Sequence, residues 1–551
     1  MSCSYDFVGG FESLVSRHTT LGIIVVILTI SIVCLAVLYR LALPKPFLGI
    51  PYNAPSARNI LGDVPAMLKH ISHEGGTFIS YLTSTLERLD APMVQVFIGP
   101  FRRPLLILAD FREAQHIMTR RADEFDRSTS SGDLVRGLAP QHHIHLKTTP
   151  VWRAQRRLLQ DLMTPSFLHH VAGPAIYKNA MALVDLWAAK EAVADGRAWA
   201  ASGDIDHVSL DAVMAFTFGE KFGNSHSATA PALEAIRAMD SIDFGVLQAF
   251  GGPEGPAKFP VSEADEVINS TLELVDTVQD VQGSPFPDLS WKWVNMKPRI
   301  RRATKIKQQY ITDELRDAIG RLDGSGEESV KSAVDYMVYR EKALAEKEGR
   351  QPDYFSRIML DEIFGFIVAG NDTSSTAIAW GLKYLADTAE AQTRLRSALQ
   401  ASFSASRAEG RTPSIQDITS SHIPILDAVI EETLRCAASV PVVDREAVVD
   451  TELLGHRIPK GTVVTCLVTG PSMTSPPFRI EEGSRGGCSA AAAAADDKTK
   501  TQSAGRGVMG WDVGDMAHFR PERWLVAAPG GQEVFDGTAD SRCWKYASFL
   551  F

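Results

Sequence analysis

Apolar residues recur at helical spacing through residues 356–385, at Leu360, Phe364, Ile367, Ile378, Leu382 and Leu385, with no proline among them. The pattern predicts one long, largely buried helix. Its centre breaks the stripe with Asn371, Ser374 and Ser375. The neighbouring face through Phe366, Ala369, Gly370, Thr373, Ala377 and Trp380 is small around Thr373. Two readings stand. One is a buried helix with a tolerated polar kink; the other is a flat vacancy, left where small side chains flank one hydroxyl. Gly370 weakens the helix by up to about 1 kcal/mol, and the Thr373 hydroxyl can bond back to a preceding carbonyl and bend the turn.

The same periodicity organises the rest of the chain. Leu21 to Tyr39 is 19 residues without a charge, which as a helix spans roughly 28 Å, close to a bilayer core. It is expected to be an uncleaved transmembrane anchor after a short luminal tail, residues 1–20. Arg40 and Lys45 follow it, a charge bias that places the body in the cytoplasm. Residues 40–55 hold the prolines of LPKPFLGIPYNAP and are expected to act as a stiff hinge. Residues 56–551 form the body.

Met93 to Ala109 reads as two short strands around a Gly-Pro turn. Residues 165–347 are helical stretches and loops without catalytic spacing. Pro424 to Ser439 is a second informative helix, ended by Pro441. Residues 445–465 alternate as a small antiparallel sheet. Residues 481–510, with six consecutive alanines, read as a low-complexity surface insertion, and Phe519 to Leu525 as a tight meander.

Composition narrows the classes. The 551 residues, 45% hydrophobic and 22% charged, are an ordinary globular balance. A net charge of -10 gives no basic field for nucleic acid. The six cysteines lack paired short spacings, which argues against a disulfide scaffold or zinc knuckle and fits a reducing compartment.

Two constellations carry candidate chemistry. Trp152 and Arg156 lie four apart on one helix face. They belong either to a solvated basic face or to a pair of donors, indole N–H and guanidinium, suited to a carboxylate. Glu432 and Arg435 lie three apart, a spacing usual for weak surface pairs. Here Glu432 shares its face with Ile425, Ala428, Val429 and Cys436, so the pair points into the core and needs a further cation. Arg445 or Arg523 could supply it.

These pieces, in this order, resemble the cytochrome P450 family, heme-thiolate monooxygenases, and are most similar to its membrane-anchored fungal members. Ala369-Gly370-Asn371-Asp372-Thr373-Ser374 resembles the family's oxygen-activation motif, Glu432-Thr433-Leu434-Arg435 its Glu-x-x-Arg, and Phe519-Arg520-Pro521-Glu522-Arg523-Trp524 its meander. The resemblance implies a mainly α fold with small β-sheets. It implies an ion triad of Glu432, Arg435 and Arg523, and heme propionates met by Trp152, Arg156 and Arg445. Heme would lie against Ala369 and Gly370, with Asp372 and Thr373 relaying protons. It further implies an NADPH-dependent reductase as electron donor, a small lipophilic substrate of the secondary-metabolite class, and an endoplasmic reticulum membrane location.

The family's Phe-x-x-Gly-x-Arg-x-Cys-x-Gly does not follow the meander. The sequence instead reads GTADSRCWKYASFLF to Phe551, so a C-terminally truncated P450-like fold is expected. Cys543 has one preceding arginine and no flanking glycine, little to hold a ligand thiolate, so no metal ligand is assigned. Two expectations follow: an incomplete version of a working enzyme, or a heme-deficient, non-catalytic membrane protein binding an apolar ligand or partner. A reductase-independent rearrangement enzyme is disfavoured by Asp372 and Thr373.

Overall fold

A computed structural model describes residues 27–133, 135–194, 196–239, 255–260, 264–281, 284, 287–325, 330–485 and 514–536. It is mainly helical with small antiparallel sheets, and it divides into two units, residues 1–107 and 108–551.

In the first unit residues 27–42 are helical with apolar side chains facing outward, including Ile30, Ile32 and Leu35. Residues 21–26 of the expected anchor lie outside the described residues. No helix among the described residues is long and apolar enough to cross a membrane. The proline-rich hinge is not a free spacer. Gln95 donates to the carbonyls of Phe47 and Ile50 and accepts from the Phe47 N–H, which pins the hinge to strand β1 (Met93–Val96). Its partner β2 (Leu105–Leu108) completes the expected pair of strands.

In the second unit β3 (Phe125–Arg127) is followed by helices α1 (Pro150–Leu158), α2 (Gly173–Ala194), α3 (Ser202–Phe218), α4 (Glu266–Val281), α5 (Pro298–Ser325), α6 (Ala333–Glu348), α7 (Arg357–Asp387) and α8 (Pro424–Ala437). Strands β4 (Val442–Ala447), β5 (Thr451–Leu453), β6 (His456–Ile458) and β7 (Val463–Leu467) come next. β3 pairs antiparallel with β4, and β4 with β7, while β5 and β6 form a hairpin. The main core joins Leu210, Val213 and Met214 of α3, Ile311 and Leu315 of α5, Met337 and Val338 of α6, and Ile363, Phe364 and Ile367 of α7. Burying such aliphatic and aromatic side chains contributes about 1.5–3 kcal/mol each before chain entropy is counted.

Helix α7 starts at its Ser356 cap, whose side chain accepts from the Met359 N–H, within two residues of the bounds that periodicity predicts. Its burial departs from expectation. The amino-terminal half is enclosed, but Ile378, Trp380 and Leu382 are each more than 40% exposed. The helix is apolar on more sides there than α8 covers. α8 itself approaches closely because Gly381 lacks a side chain: a Cβ there would stand 3.0 Å from Thr433 Cγ2. α8 ends not at Pro441 but at Ala438, which takes the left-handed conformation at φ 42°.

The insertion expected from residue 481 begins as structure. Residues Glu482–Ser484 form a 3₁₀ turn, and Arg485 is buried with Nη1 2.7 Å from Asp110 Oδ1. Residues 486–513 lie outside the described residues.

Candidate active site

Helix α7 carries Thr373 in a back-bonded conformation, its hydroxyl donating to the Ala369 carbonyl at 2.7 Å. α7 continues through the site as a regular helix, so the sequence break at 370–375 changes side chains rather than secondary structure. Ala369 and Thr373 are half-buried, and Asn371 is buried with its Oδ1 unpaired. Gly370 faces α3: a Cβ added to it would stand 3.2 Å from Val213 Cγ2. The space that its missing side chain leaves is therefore filled by Val213, and the glycine serves helix packing. Ser209 of α3 reinforces the contact by donating to the Asn371 carbonyl at 3.2 Å.

Asp372 is exposed, yet enough protein surrounds its carboxyl to raise its pKa, first by desolvation and then by the nearby Asp206 and Asp276 carboxylates. Electrostatically it is a carboxyl among carboxyls, which favours holding a proton.

A second group of residues is cationic. β3 sets Arg127 opposite Arg445 of β4 in register, and α1 supplies Trp152 and Arg156. Desolvation is the first cause lowering the pKa of all three guanidinium groups. Arg127, which also feels Arg445 and Arg156, falls to about 10. Arg127 lies over the Trp152 ring at 5.3 Å, and the buried Trp152 Nε1 has no partner. Three half-buried cations and an unpaired indole donor call for an anion. Carboxylates, such as the propionates of a heme, carry the charge and acceptors that this donor set would hold. Arg127 escaped sequence reasoning; its signal was a charged residue inside a short strand, meaningful only once the β3–β4 register is known.

The predicted ion triad is brought together by α8 and the meander. Glu432, fully buried, accepts from Arg435 Nη2 at 2.7 Å and Nε at 2.8 Å, from Arg523 Nε at 3.0 Å, from Trp524 Nε1 at 2.9 Å, and from the Arg520 N–H at 2.7 Å. Arg435 in turn donates to the Met473, Met516 and His518 carbonyls. Arg523 rather than Arg445 is the further cation that Glu432 requires, while Arg445 joins the cradle.

No thiolate is available among the described cysteines near these residues. Burial pushes the Cys436 and Cys466 thiols up to about 12, so both stay protonated. Cys543 lies outside the described residues.

His142, His143 and Glu362 have ligand atoms within 4.8 Å of one another, a spacing compatible with a metal ion. The hydrogen bonds argue otherwise. His142 Nδ1 accepts from the Ile144 N–H at 3.2 Å, so its proton sits on Nε2 and points at Glu362 Oε2, 3.4 Å away. A neutral imidazole binding metal through Nε2 would instead carry its proton on Nδ1, against the Ile144 N–H.

Residues 64–473 match the family model described as Cytochrome P450. The chain is 41% identical over 502 residues, 90% of its length and 83% of the relative's, to "Cytochrome P450 monooxygenase TRI13" of Fusarium sporotrichioides. It is 34% identical over 525 residues, 94% of its length and 87% of the relative's, to "Cytochrome P450 monooxygenase GME11363" of Pestalotiopsis microspora. It is 35% identical over 530 residues, 95% of its length and 85% of the relative's, to "Cytochrome P450 monooxygenase xilC" of Penicillium rubens.

Proposed function

The chain belongs to the cytochrome P450 family as a monooxygenase, and on that premise we propose that it oxidises a small lipophilic secondary metabolite while anchored to the endoplasmic reticulum membrane. The observation that carries the cofactor assignment is the unpaired Trp152 Nε1 inside the Arg127, Arg156 and Arg445 cluster. In this reading those four residues hold the heme propionates. Heme iron, when bound, supplies the oxygen activation.

The chain's own residues do the rest. Ala369 and Thr373 form the small face of α7 toward the cofactor. Thr373, whose hydroxyl is held by the Ala369 carbonyl, is placed to pass a proton once that bond swings. Asp372, with its raised pKa, can take a proton from solvent and hand it on. Asn371, Gly370 and Ser209 fix the backbone on which this happens. Electrons come from an NADPH-dependent reductase on the same membrane. The uncharged stretch 21–39 and the following Arg40 and Lys45 support the anchor and the cytoplasmic placing of the body.

Reconstitution with hemin, reductase and NADPH tests the reading. Purified protein is expected to give a heme difference spectrum under carbon monoxide and to consume NADPH with an apolar substrate. Wild-type protein that acquires no heme absorbance over a hemin titration would overturn it.

A further inference from the structure

The second half of the segment between the Arg127 strand and α1 is stitched twice, to α7 and to β3. Past its midpoint, the Gln141 and His143 N–H groups donate to successive carboxylates of α7, Asp361 Oδ2 at 2.8 Å and Glu362 Oε1 at 2.7 Å. The His143 ring adds Nδ1 to Glu362 Oε2 at 2.7 Å. Near its end, Thr148 donates its N–H and hydroxyl to Asp126, which precedes Arg127 in β3, and Thr149 then caps α1 by accepting from the Trp152 N–H. Both α7 carboxylates are buried, Glu362 completely. A helix that needed only core packing would be as stable with apolar side chains at these positions. Here the two acids hold a loop at defined atoms, and that loop opens directly into the helix that presents Trp152 and Arg156. Gly365, one turn along, leaves room for the His142 ring, since a Cβ there would stand 2.3 Å from His142 Cδ2.

We infer that Glu362 is a positioning residue for the cofactor. Through His143 it fixes where α1 offers Trp152 and Arg156 relative to Ala369 and Thr373, which lie two to three turns farther along its own helix. The same carboxylate is within electrostatic reach of Arg156, so latch and cradle are adjacent as well as connected. The inference rests on the reading of Trp152 and Arg156 as the propionate-binding pair.

Protoporphyrin IX, which carries the propionates without iron and needs no thiolate ligand, is the probe. Its dissociation constant is measured by fluorescence on the full chain, with hydrogen exchange followed over residues 139–149. Glu362→Leu, and from the loop side His143→Phe, are expected to speed exchange there at least tenfold and to weaken porphyrin binding at least fivefold, with helical circular dichroism unchanged. Glu362→Gln keeps an acceptor for the His143 N–H and is expected to recover most of both. If Glu362→Leu does not fold, His143→Phe and Glu362→Gln decide. Faster exchange with unaltered affinity, or no change in either, overturns the positioning role. Arg156→Leu separates the two readings. Binding that Arg156→Leu abolishes but the latch variants leave intact rejects the latch alone. Binding that Arg156→Leu does not affect, or absent in wild type, rejects the cradle and the latch with it.

Discussion

Arg523 closes onto Glu432 across 91 residues of chain, its Nε 3.0 Å from a carboxylate oxygen that Arg435 and the Arg520 N–H already occupy. The relationship ties the meander to α8 through one buried charge. Desolvating that charge is costly, and it is tolerated because every lone pair has a donor. Glu432→Gln keeps the shape but turns an NH2 toward donors and leaves two guanidinium groups short of an anion. A loss of about 3–5 kcal/mol is expected, read as a fall in the urea midpoint. Arg523→Met is expected to cost less, because Glu432 keeps Arg435, the Arg520 N–H and Trp524 Nε1, and Asp515, which loses Arg523, keeps Arg520. Equal losses in the two variants would contradict this ordering.

The cradle predicts effects of opposite sign on stability and binding. Arg127 faces Arg445 in register and is desolvated, which lowers its pKa to about 10. Without an anion this arrangement costs the fold on the order of 1 kcal/mol. Arg127→Leu is therefore expected to raise the thermal midpoint of cofactor-free protein, even though it gives up the bond to the Leu146 carbonyl. It is also expected to weaken porphyrin binding severalfold. A variant that loses stability and keeps its affinity would show that Arg127 is a structural cation.

These two sites also show what could be read from sequence. The Glu432–Arg435 spacing and its apolar neighbours declare a buried pair, but the choice between Arg445 and Arg523 turns on long-range placement that no local pattern encodes. Trp152 and Arg156 share a helix face by spacing alone, whereas Arg127 joins them only through the β3–β4 register. Gly370 misled in a different way. A small residue beside a polar break looks like room for a ligand, and only the position of Val213 shows that another helix takes the space. Ile378 and Leu382 continue an apolar stripe, yet periodicity reports a face and not what covers it.

Gly365→Ala sets helix propensity against packing. Alanine in a helix is worth about 1 kcal/mol over glycine. The new Cβ would sit 2.3 Å from His142 Cδ2, and the ring is held by the Ile144 N–H, so overpacking of about 1–3 kcal/mol is expected to win. A lowered denaturant midpoint and faster exchange over residues 139–149 are the measurements. A stabilised variant would mean that His142 moves aside freely.

Thr373→Val removes the hydroxyl and keeps the shape. Its bond to the Ala369 carbonyl adds little to helix stability, so the denaturant midpoint is expected to move by less than about 0.5 kcal/mol. In a reconstituted assay the product formed per NADPH is expected to fall by tenfold or more, the scale of general acid–base assistance. Unchanged product yield would assign the hydroxyl to structure.

Acid should loosen the fold through the two histidines that face Glu362. In the folded chain burial is the first cause depressing His142 and His143 to about 3; Glu362 partly counters it at His142, and Arg156 and Arg127 reinforce it at His143. Unfolded, both titrate near about 6.5. Above that value both states are neutral and neither histidine affects stability. Below it the unfolded chain binds more protons, so each histidine favours unfolding by up to about 1.4 kcal/mol per pH unit until the folded value near 3 is reached. Glu362 has the opposite sign. Burial raises its pKa, so the folded carboxyl takes up its proton first and offsets part of the loss, until the unfolded carboxyl also protonates near about 4.3. Two imidazoles against one carboxyl leave a net decline. Between pH 7.5 and 5.5, above the usual carboxylate range, the urea midpoint of wild type is expected to fall. It should fall less steeply in His143→Phe, which keeps only one of the two imidazoles. Parallel slopes in the two proteins would place the acid sensitivity elsewhere in the fold.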